Sequence, residues 1–163
     1  MSIKINYSNK TFSKSTANLV LFTDEKFNIS SLKKYFSNNE FSYIHDLLKT
    51  NDLKKNMLVF EVNSKKKIVL ISIKKELKIF DIENLGAEFY GRINYGKNSE
   101  YFVNSDSITS KSKNFVGHFL HGLKLKSYEF NKYKTKKETR HISINVLGNK
   151  NKPSAQNQLK FRA

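Results

Sequence analysis

Short apolar runs along the chain predict strands. Ile3 and Ile5 alternate with polar residues, which is typical of a half-buried strand. Residues 18–23 are almost continuously apolar, which predicts a strand buried on both faces. A polar turn separates residues 57–62 from residues 67–73 and predicts an antiparallel hairpin. Further strands are predicted at residues 101–103 and 140–147.

Apolar residues spaced three and four positions apart predict helices between these strands. Ser30 or Ser31 is expected to cap a first helix that carries Leu32, Tyr35 and Phe36. The other predicted helical faces consist of Ile44, Leu47 and Leu48, of Ile79, Ile82, Leu85, Phe89 and Ile93, and of Phe115, Phe119, Leu120 and Leu123. Strands that alternate with helices, together with one hairpin, predict an α/β domain with a mixed sheet.

The composition fits a single domain. The chain has 163 residues, 38% of them hydrophobic and 13% aromatic, so it can bury one core. It has no cysteine, which excludes disulfides, thiolate metal sites and cysteine nucleophiles. We find neither a signal-peptide pattern nor an apolar run of about 18 residues, so a cytoplasmic protein without a membrane partner is expected.

The charge has two interpretations. The net charge of +16 favours a partner such as nucleic acid or another anionic surface. However, Arg92, Arg140 and Arg162 are the only arginines among 30 basic residues, and lysine-rich, asparagine-rich composition is typical of A+T-rich coding. Since base and phosphate recognition commonly uses arginine, we favour the compositional interpretation.

The histidines offer no metal site by spacing. His118 and His121 lie three residues apart, but no carboxylate stands between or beside them. His45 stands beside Asp46, and His141 opens a predicted strand, without a partner at ligand spacing. We therefore expect His118 and His121 at the solvent edge of a helix.

Carboxylates and glycines offer no catalytic pattern either. Asp24 and Glu25, like Asp81 and Glu83, stand where a loop or a helix N-terminus favours acids. There is no nucleophile elbow and no phosphate-binding glycine loop. The regular spacing of Gly86, Gly91 and Gly96, and the small Gly86 and Ala87, are interpreted as close helix packing. The sequence thus predicts no catalytic residue and no metal ligand.

One segment, residues 122–137, interleaves aromatic residues with lysines. One interpretation is contact with single-stranded nucleic acid through Lys126, Lys132, Lys134 and Lys136. The other, which we favour, is an extended connector whose alternating Tyr128 and Phe130 share one buried face.

This segment resembles the end of the N-terminal domain in the leucyl aminopeptidase (cytosol aminopeptidase) family. The matching residues are Gly122, Leu125, Ser127, Tyr128, Phe130, Tyr133, Lys134, Lys136 and Lys137. The upstream Leu85-Gly86-Ala87 and the strand at residues 142–147 look similar as well, whereas the first 110 residues match in pattern only.

The resemblance implies a macro-domain-like, three-layer α/β/α fold for residues 1–150. Residues 151–163, with Pro153 at the first turn, would begin the linker helix to a catalytic domain absent from this chain. The parent would be a cytoplasmic, homohexameric exopeptidase with two divalent metals, zinc or manganese, in that domain. This N-terminal domain would then be non-catalytic, with a structural role in oligomer assembly and active-site access.

Two other functions remain open. A basic nucleic-acid-binding module is the alternative, since some members of the resembling family bind DNA. An ADP-ribose binder of the macro type would need glycine-rich loops around the diphosphate, and this chain has no Gly-Gly pair.

Overall fold

The computed structural model describes residues 2–8, 18–51, 54–63, 66–74, 77–93, 99–104, 107, 115–132 and 141–147. The strands are β1 (Ser2–Ser8), β2 (Asn18–Thr23), β3 (Met57–Asn63), β4 (Lys66–Ser72), β5 (Ser99–Asn104) and β6 (His141–Leu147). The helices are a 3-10 helix (Ser30–Tyr35), α1 (Asn38–Thr50), α2 (Ile79–Ile93) and α3 (Phe115–Lys132). None of the helices in these ranges is long and apolar enough to span a membrane.

The strands form one mixed sheet in the order β1-β6-β5-β2-β4-β3. β3 and β4 pair antiparallel, with Leu58 opposite Leu70, which confirms the predicted hairpin. The other neighbouring pairs are parallel. Parallel neighbours require crossover connections, and helices supply them.

Strand β2 shows why the fold has three layers. Leu19 and Leu21 are buried on one face of the sheet, and Val20 and Phe22 are buried on the other. Because successive side chains of a strand alternate between faces, both faces must be covered. The 3-10 helix and α1 cover the first face, while α2 and α3 cover the second. The predicted α/β/α architecture is therefore confirmed.

The first helical layer begins differently from the prediction. The segment after Ser30 is a short 3-10 helix that follows Ile29, without a side-chain cap. The capped helix is α1, where the Glu40 amide donates to Ser37 Oγ at 3.2 Å and the Ser37 amide donates to Glu40 Oε1 at 3.0 Å. This reciprocal capping box satisfies two amides that a helix start leaves without partners, so the long helix begins there.

The second helical layer depends on two glycines. A Cβ at Gly86 of α2 would overlap the Phe119 carbonyl and lie 3.0 Å from the Leu123 amide nitrogen of α3. A Cβ at Gly122 would overlap the Glu83 carbonyl oxygen and lie 2.7 Å from the Glu83 Cα. The backbones of α2 and α3 are therefore in contact, as the small residues Gly86 and Ala87 predicted.

Two predictions about α2 are wrong. Ile79 is exposed rather than part of the apolar face, because it is the first residue of the helix. A Cβ at Gly91 would meet no atom within 4 Å, so the spacing of this glycine from Gly86 does not reflect packing. Gly96 lies outside the described residues. The rest of the predicted face, Ile82, Leu85, Phe89 and Ile93, is buried.

A nearly buried ion pair connects α1 to the hairpin. Lys66 Nζ lies 2.8 Å from Glu40 Oε2, and both side chains are largely withdrawn from solvent. Burial raises the pKa of the Glu40 carboxyl, but hydrogen bonds from Lys66 and Ser37 outweigh it, so the pKa is lowered. The pair thus holds the start of α1 against the first residue of β4.

Gly86→Ala should destabilise the fold, because the added methyl group forces two backbones apart. We expect a loss of about 1–3 kcal/mol in the free energy of unfolding. Gly91→Ala is the matched control on the same helix, and it should be neutral or stabilising by up to about 1 kcal/mol. Denaturant unfolding of both variants measures this. Equal effects of the two substitutions would contradict the close contact.

Acid should destabilise the protein through Glu40. Because the folded-state pKa is below the ordinary value of 4.5, the pair stabilises the fold above that pH and loses its effect as pH falls through the folded-state pKa. Glu40→Gln should lose less stability than the wild type between about pH 6 and pH 3. Glu61→Gln, at an exposed position on β3, is the control. Parallel stability curves for wild type and Glu40→Gln would rule this out.

Candidate functional site

Buried polar residues mark the carboxyl ends of the central parallel strands. Thr23 ends β2, Ser72 ends β4 and Asn104 ends β5, and all three are buried. In open α/β sheets, ligands commonly bind outside the carboxyl ends of the strands. This edge of the sheet is therefore where a binding site is expected.

The turn after β2 is fixed by Asp24. Its Oδ1 accepts hydrogen bonds from the amides of Lys26 and Asn28, each at 3.0 Å. Phe27 has a φ of 55° and is buried. A bulky residue rarely adopts this conformation, so side-chain burial and the Asp24 bonds must offset the strain. Asp24 thus has a loop-stabilising role, as the sequence predicted.

Two serines tie the loops to the sheet edge. The Ser72 hydroxyl donates to the Asp24 carbonyl at 3.2 Å, which joins the end of β4 to the turn. The Ser107 hydroxyl donates to the Asn104 carbonyl at 2.7 Å and accepts from the Phe22 amide at 3.0 Å. Both hydroxyls therefore form hydrogen bonds with backbone atoms at this edge of the sheet.

A cleft of about 480 Å³ opens at this edge, between the start of β3, the end of β4 and helix α2. Asp81, Asn84, Leu85 and Glu88 line it from α2. They stand at positions i, i+3, i+4 and i+7 counted from Asp81, so they form one stripe along the helix. The rest of the lining consists of Asn56, Ser72, Lys74 and Leu77.

One residue that lines the cleft, Glu88, has a buried carboxylate oxygen without a partner. Glu88 Oε2 has no hydrogen-bond partner and almost no contact with solvent. Asp81 Oδ2, by contrast, accepts from the Lys78 amide at 3.0 Å and so stabilises the helix start, as predicted for this acid. An unpaired buried polar atom is costly, which makes Glu88 unusual among the described residues. Lys74, which also lines the cleft, is exposed.

The sequence analysis did not single out Glu88. The available signal was the polar spacing Asp81, Asn84, Glu88 on a helix whose other face is apolar. That pattern alone describes any solvated helix face, so it indicates no site without the tertiary structure.

The three histidines whose side chains are described, His45, His118 and His121, do not line this cleft. His121 Nδ1 lies 3.6 Å from Glu83 Oε1, with both side chains partly exposed. His118 is partly buried one turn earlier on α3. His45 is exposed, 4.0 Å from Asp46 Oδ1. Among the described residues, no group of three or more histidines and acids could hold a metal ion.

The segment resembling leucyl aminopeptidases is not extended where the structure describes it. Helix α3 continues to Lys132, which corrects the predicted extended connector. The buried face Phe119, Leu123, Ser127 continues at helical spacing, and the Ser127 hydroxyl donates to the Lys124 carbonyl at 2.7 Å. This 3.6-residue period outweighs the apparent two-residue alternation around Tyr128.

Some residues that match the leucyl aminopeptidase segment are buried in the domain, and others are exposed to solvent. Gly122 and Ser127 are buried, whereas Leu125 is 48% and Tyr128 is 60% exposed. The predicted burial of Tyr128 is therefore wrong, because the helix turns it away from the core. Lys126 is partly buried. Side chains of Phe130 and Lys132, and all of Tyr133, Lys134, Lys136, Lys137 and residues 151–163, lie outside the described residues.

Comparison with known proteins shows the fold. No protein family and no curated protein sequence matches the chain. A variant of tomato leucine aminopeptidase superposes on 98% of this chain with a TM-score of 0.62 and 13% identity, and the chain spans 35% of that enzyme's length. The macrodomain of Thermus aquaticus DarG superposes on 91% of this chain and all of its own, with a TM-score of 0.56 and 10% identity. The fold is macro-domain-like.

Truncating the outer residues of α3 should leave the domain stable. Leu125→Ala and Tyr128→Ala should each change the free energy of unfolding by less than about 0.5 kcal/mol, because both side chains face solvent. Phe119→Ala, which removes a fully buried ring from the same helix, should cost about 3–5 kcal/mol. Thermal unfolding compares the three. A loss for Tyr128→Ala as large as that for Phe119→Ala would show that Tyr128 belongs to the core.

Proposed function

We propose that this chain is the non-catalytic N-terminal domain of a leucyl aminopeptidase. The proposal rests on the combination of a structural similarity and a separate sequence similarity, which both point to the same family. The fold corresponds to about one third of a leucine aminopeptidase chain, and the segment from Gly122 to Lys137 resembles that family in sequence. Residues 1–150 would form the domain, and residues 151–163 would begin the connection to the catalytic domain.

In this proposal, the whole protein removes N-terminal amino acids from peptides in the cytoplasm as a homohexamer. Two divalent metals, zinc or manganese, would supply Lewis-acid chemistry within the catalytic domain. The described residues of this chain would contribute no ligand to them, because none forms a metal-binding group. The role of this domain is structural, in oligomer assembly and in access to the active site.

The two faces of α3 support such a structural role. Gly122 and Ser127 are used inside the domain, since Gly122 meets the backbone of α2 and the Ser127 hydroxyl donates to the Lys124 carbonyl of its own helix. Leu125 and Tyr128 also match the family segment, yet the domain's own core does not use them. We infer that this outer pair contacts the rest of the parent protein. An exposed apolar pair one turn apart suits such an interface.

The full-length gene product tests the proposal. It should release leucine from a chromogenic leucyl amide only when a divalent metal is present, and the 163-residue chain alone should release none. Metal-dependent turnover by the purified chain alone would contradict the non-catalytic role. A gene that encodes no catalytic domain after Ala163 would contradict the aminopeptidase assignment.

Assembly of the full-length protein tests the role of α3. The double substitution Leu125→Ala and Tyr128→Ala should lower the oligomer fraction measured by light scattering, while leaving each domain folded. Tyr43→Ala, at a comparably exposed aromatic on α1, is the control. Unchanged assembly of the α3 variant would show that this pair is not the interface.

A nucleic-acid-binding module remains the second candidate. The exposure of Tyr128 on a chain with a net charge of +16 favours it, since a solvent-facing aromatic can stack on a base. Binding to single-stranded DNA should then weaken steeply with salt and weaken further in Tyr128→Ala. Affinity equal to that of a lysine-rich control protein would remove this candidate.

A further inference from the structure

We propose that two copies of this domain pair through the outer stripe of α3, antiparallel and about a two-fold axis. The outer stripe consists of His118, His121, Leu125 and Tyr128. This pairing deepens the assembly role proposed above and rests on it, because it identifies the partner of α3 as the same surface of a sister subunit. A two-fold axis in a homo-oligomer brings one surface patch against its own copy.

The spacing of the outer stripe suits contact with a second helix. Its four residues stand three, four and three positions apart, which is the heptad spacing that lets two helices pack side by side. Leu125 and Tyr128 are exposed, whereas His118 and His121 are partly buried. The opposite face of the helix lies in the core. The apolar half of the stripe therefore has no place in the domain's own packing.

The net charge of +16 limits which surfaces of two copies can meet, because like charges oppose contact. Exposed lysines or arginines lie on the 3-10 helix, on α1 and on α2. Within residues 115–128 of α3, in contrast, no lysine is exposed, since Lys124 is buried and Lys126 is partly buried. The outer stripe thus lets two positively charged copies approach with little opposition.

Exposed apolar residues on the other helices suit such a contact less well. Phe80 lies two residues after the exposed Lys78, at the start of α2. Tyr43 of α1 is isolated, because its neighbours at helical spacing, Asn39 and Asp46, are polar and exposed. Neither residue belongs to a continuous stripe that a second copy could cover.

The antiparallel direction follows from the shape of the stripe. Its two exposed side chains lie at one end, and its two partly buried side chains lie at the other. An antiparallel pair centred between residues 121 and 125 places Leu125 against the partner's His121 and Tyr128 against the partner's His118. Protruding side chains then fill recessed positions, which close packing requires. A parallel pair would oppose the two protruding ends to each other.

The pair should be weak and should respond to salt. One helix pair buries less area than the roughly 1,200–2,000 Å² of a standard interface, so we expect a dissociation constant on the order of 0.1–1 mM. Sedimentation velocity of the 163-residue chain up to about 1 mM should show a monomer–dimer equilibrium. Raising salt from about 50 mM to about 500 mM should strengthen it, because salt screens repulsion between like-charged copies.

Two variants with the same added charge locate the interface. Leu125→Lys places a lysine at the proposed contact without touching the core, so the chain should stay monomeric and unfold thermally as the wild type does. Phe80→Lys is the matched control, at a side chain of α2 that is 71% exposed. It should form dimers to nearly the same extent as the wild type.

Introduced cysteines test the antiparallel register. The chain has no cysteine, so each introduced thiol is unique. Oxidation of an equal mixture of His121→Cys and Leu125→Cys should give mainly the mixed disulfide dimer, because these positions face each other across the axis. A mixture of His121→Cys and Tyr43→Cys, with the second thiol on α1, is the control and should cross-link far less.

Three results would overturn the pairing. They are a wild-type chain that stays monomeric at about 1 mM in about 500 mM salt, dimers of Leu125→Lys equal to those of the wild type, and no excess of the mixed disulfide over the control. A monomeric chain together with leucine release by the full-length protein would remove the α3 pairing alone. A dimeric chain whose gene encodes no catalytic domain would contradict the aminopeptidase proposal alone.

Discussion

The contact between the backbones of α2 and α3 fixes the second layer of this protein. Gly86 meets the Phe119 carbonyl and Gly122 meets the Glu83 carbonyl, so each helix offers a glycine to the other's main chain. Side chains on either side then reach across, and the rings of Phe89 and Phe119 lie 5.5 Å apart. Larger residues at the glycines would separate the helices and open the core beneath them.

This contact also determines which side chains of α2 and α3 lie at the protein surface. With one face of α2 held against α3 and the sheet, the stripe from Asp81 to Glu88 faces the cleft. With one face of α3 held in the same way, Leu125 and Tyr128 are turned into solvent. The cleft-lining stripe of α2 and the exposed residues of α3 therefore follow from the same packing arrangement.

The high positive charge has little influence on this architecture. The residues buried between the sheet and each helical layer are apolar. The ion pair between Lys66 and Glu40, which is largely withdrawn from solvent, stabilises the start of α1. Most described lysines are exposed, as expected for solvated charges. One exposed lysine, Lys74, lines the cleft together with Glu88.

The sequence by itself determined the local elements and their buried faces. Alternation and continuous apolar runs defined the hairpin and β2, helical spacing defined most of α2 and the first half of α3, and small Gly86 indicated a close approach. These features follow from periods of about 2.0 and 3.6 residues, which act over a few neighbours. The reciprocal pattern Ser37 to Glu40 was also present in the sequence, but the serines before Leu32 competed with it as a helix start.

Only the tertiary structure decided the strand order, the length of α3, the exposure of Tyr128 and the existence of the cleft. Each depends on contacts between residues far apart in the chain. Glu88 illustrates the reason: its spacing on α2 is ordinary for a polar helix face, and it becomes distinctive because the folded chain buries its Oε2 without a partner. A buried, unpaired oxygen is a property of that packing, and no local pattern records it.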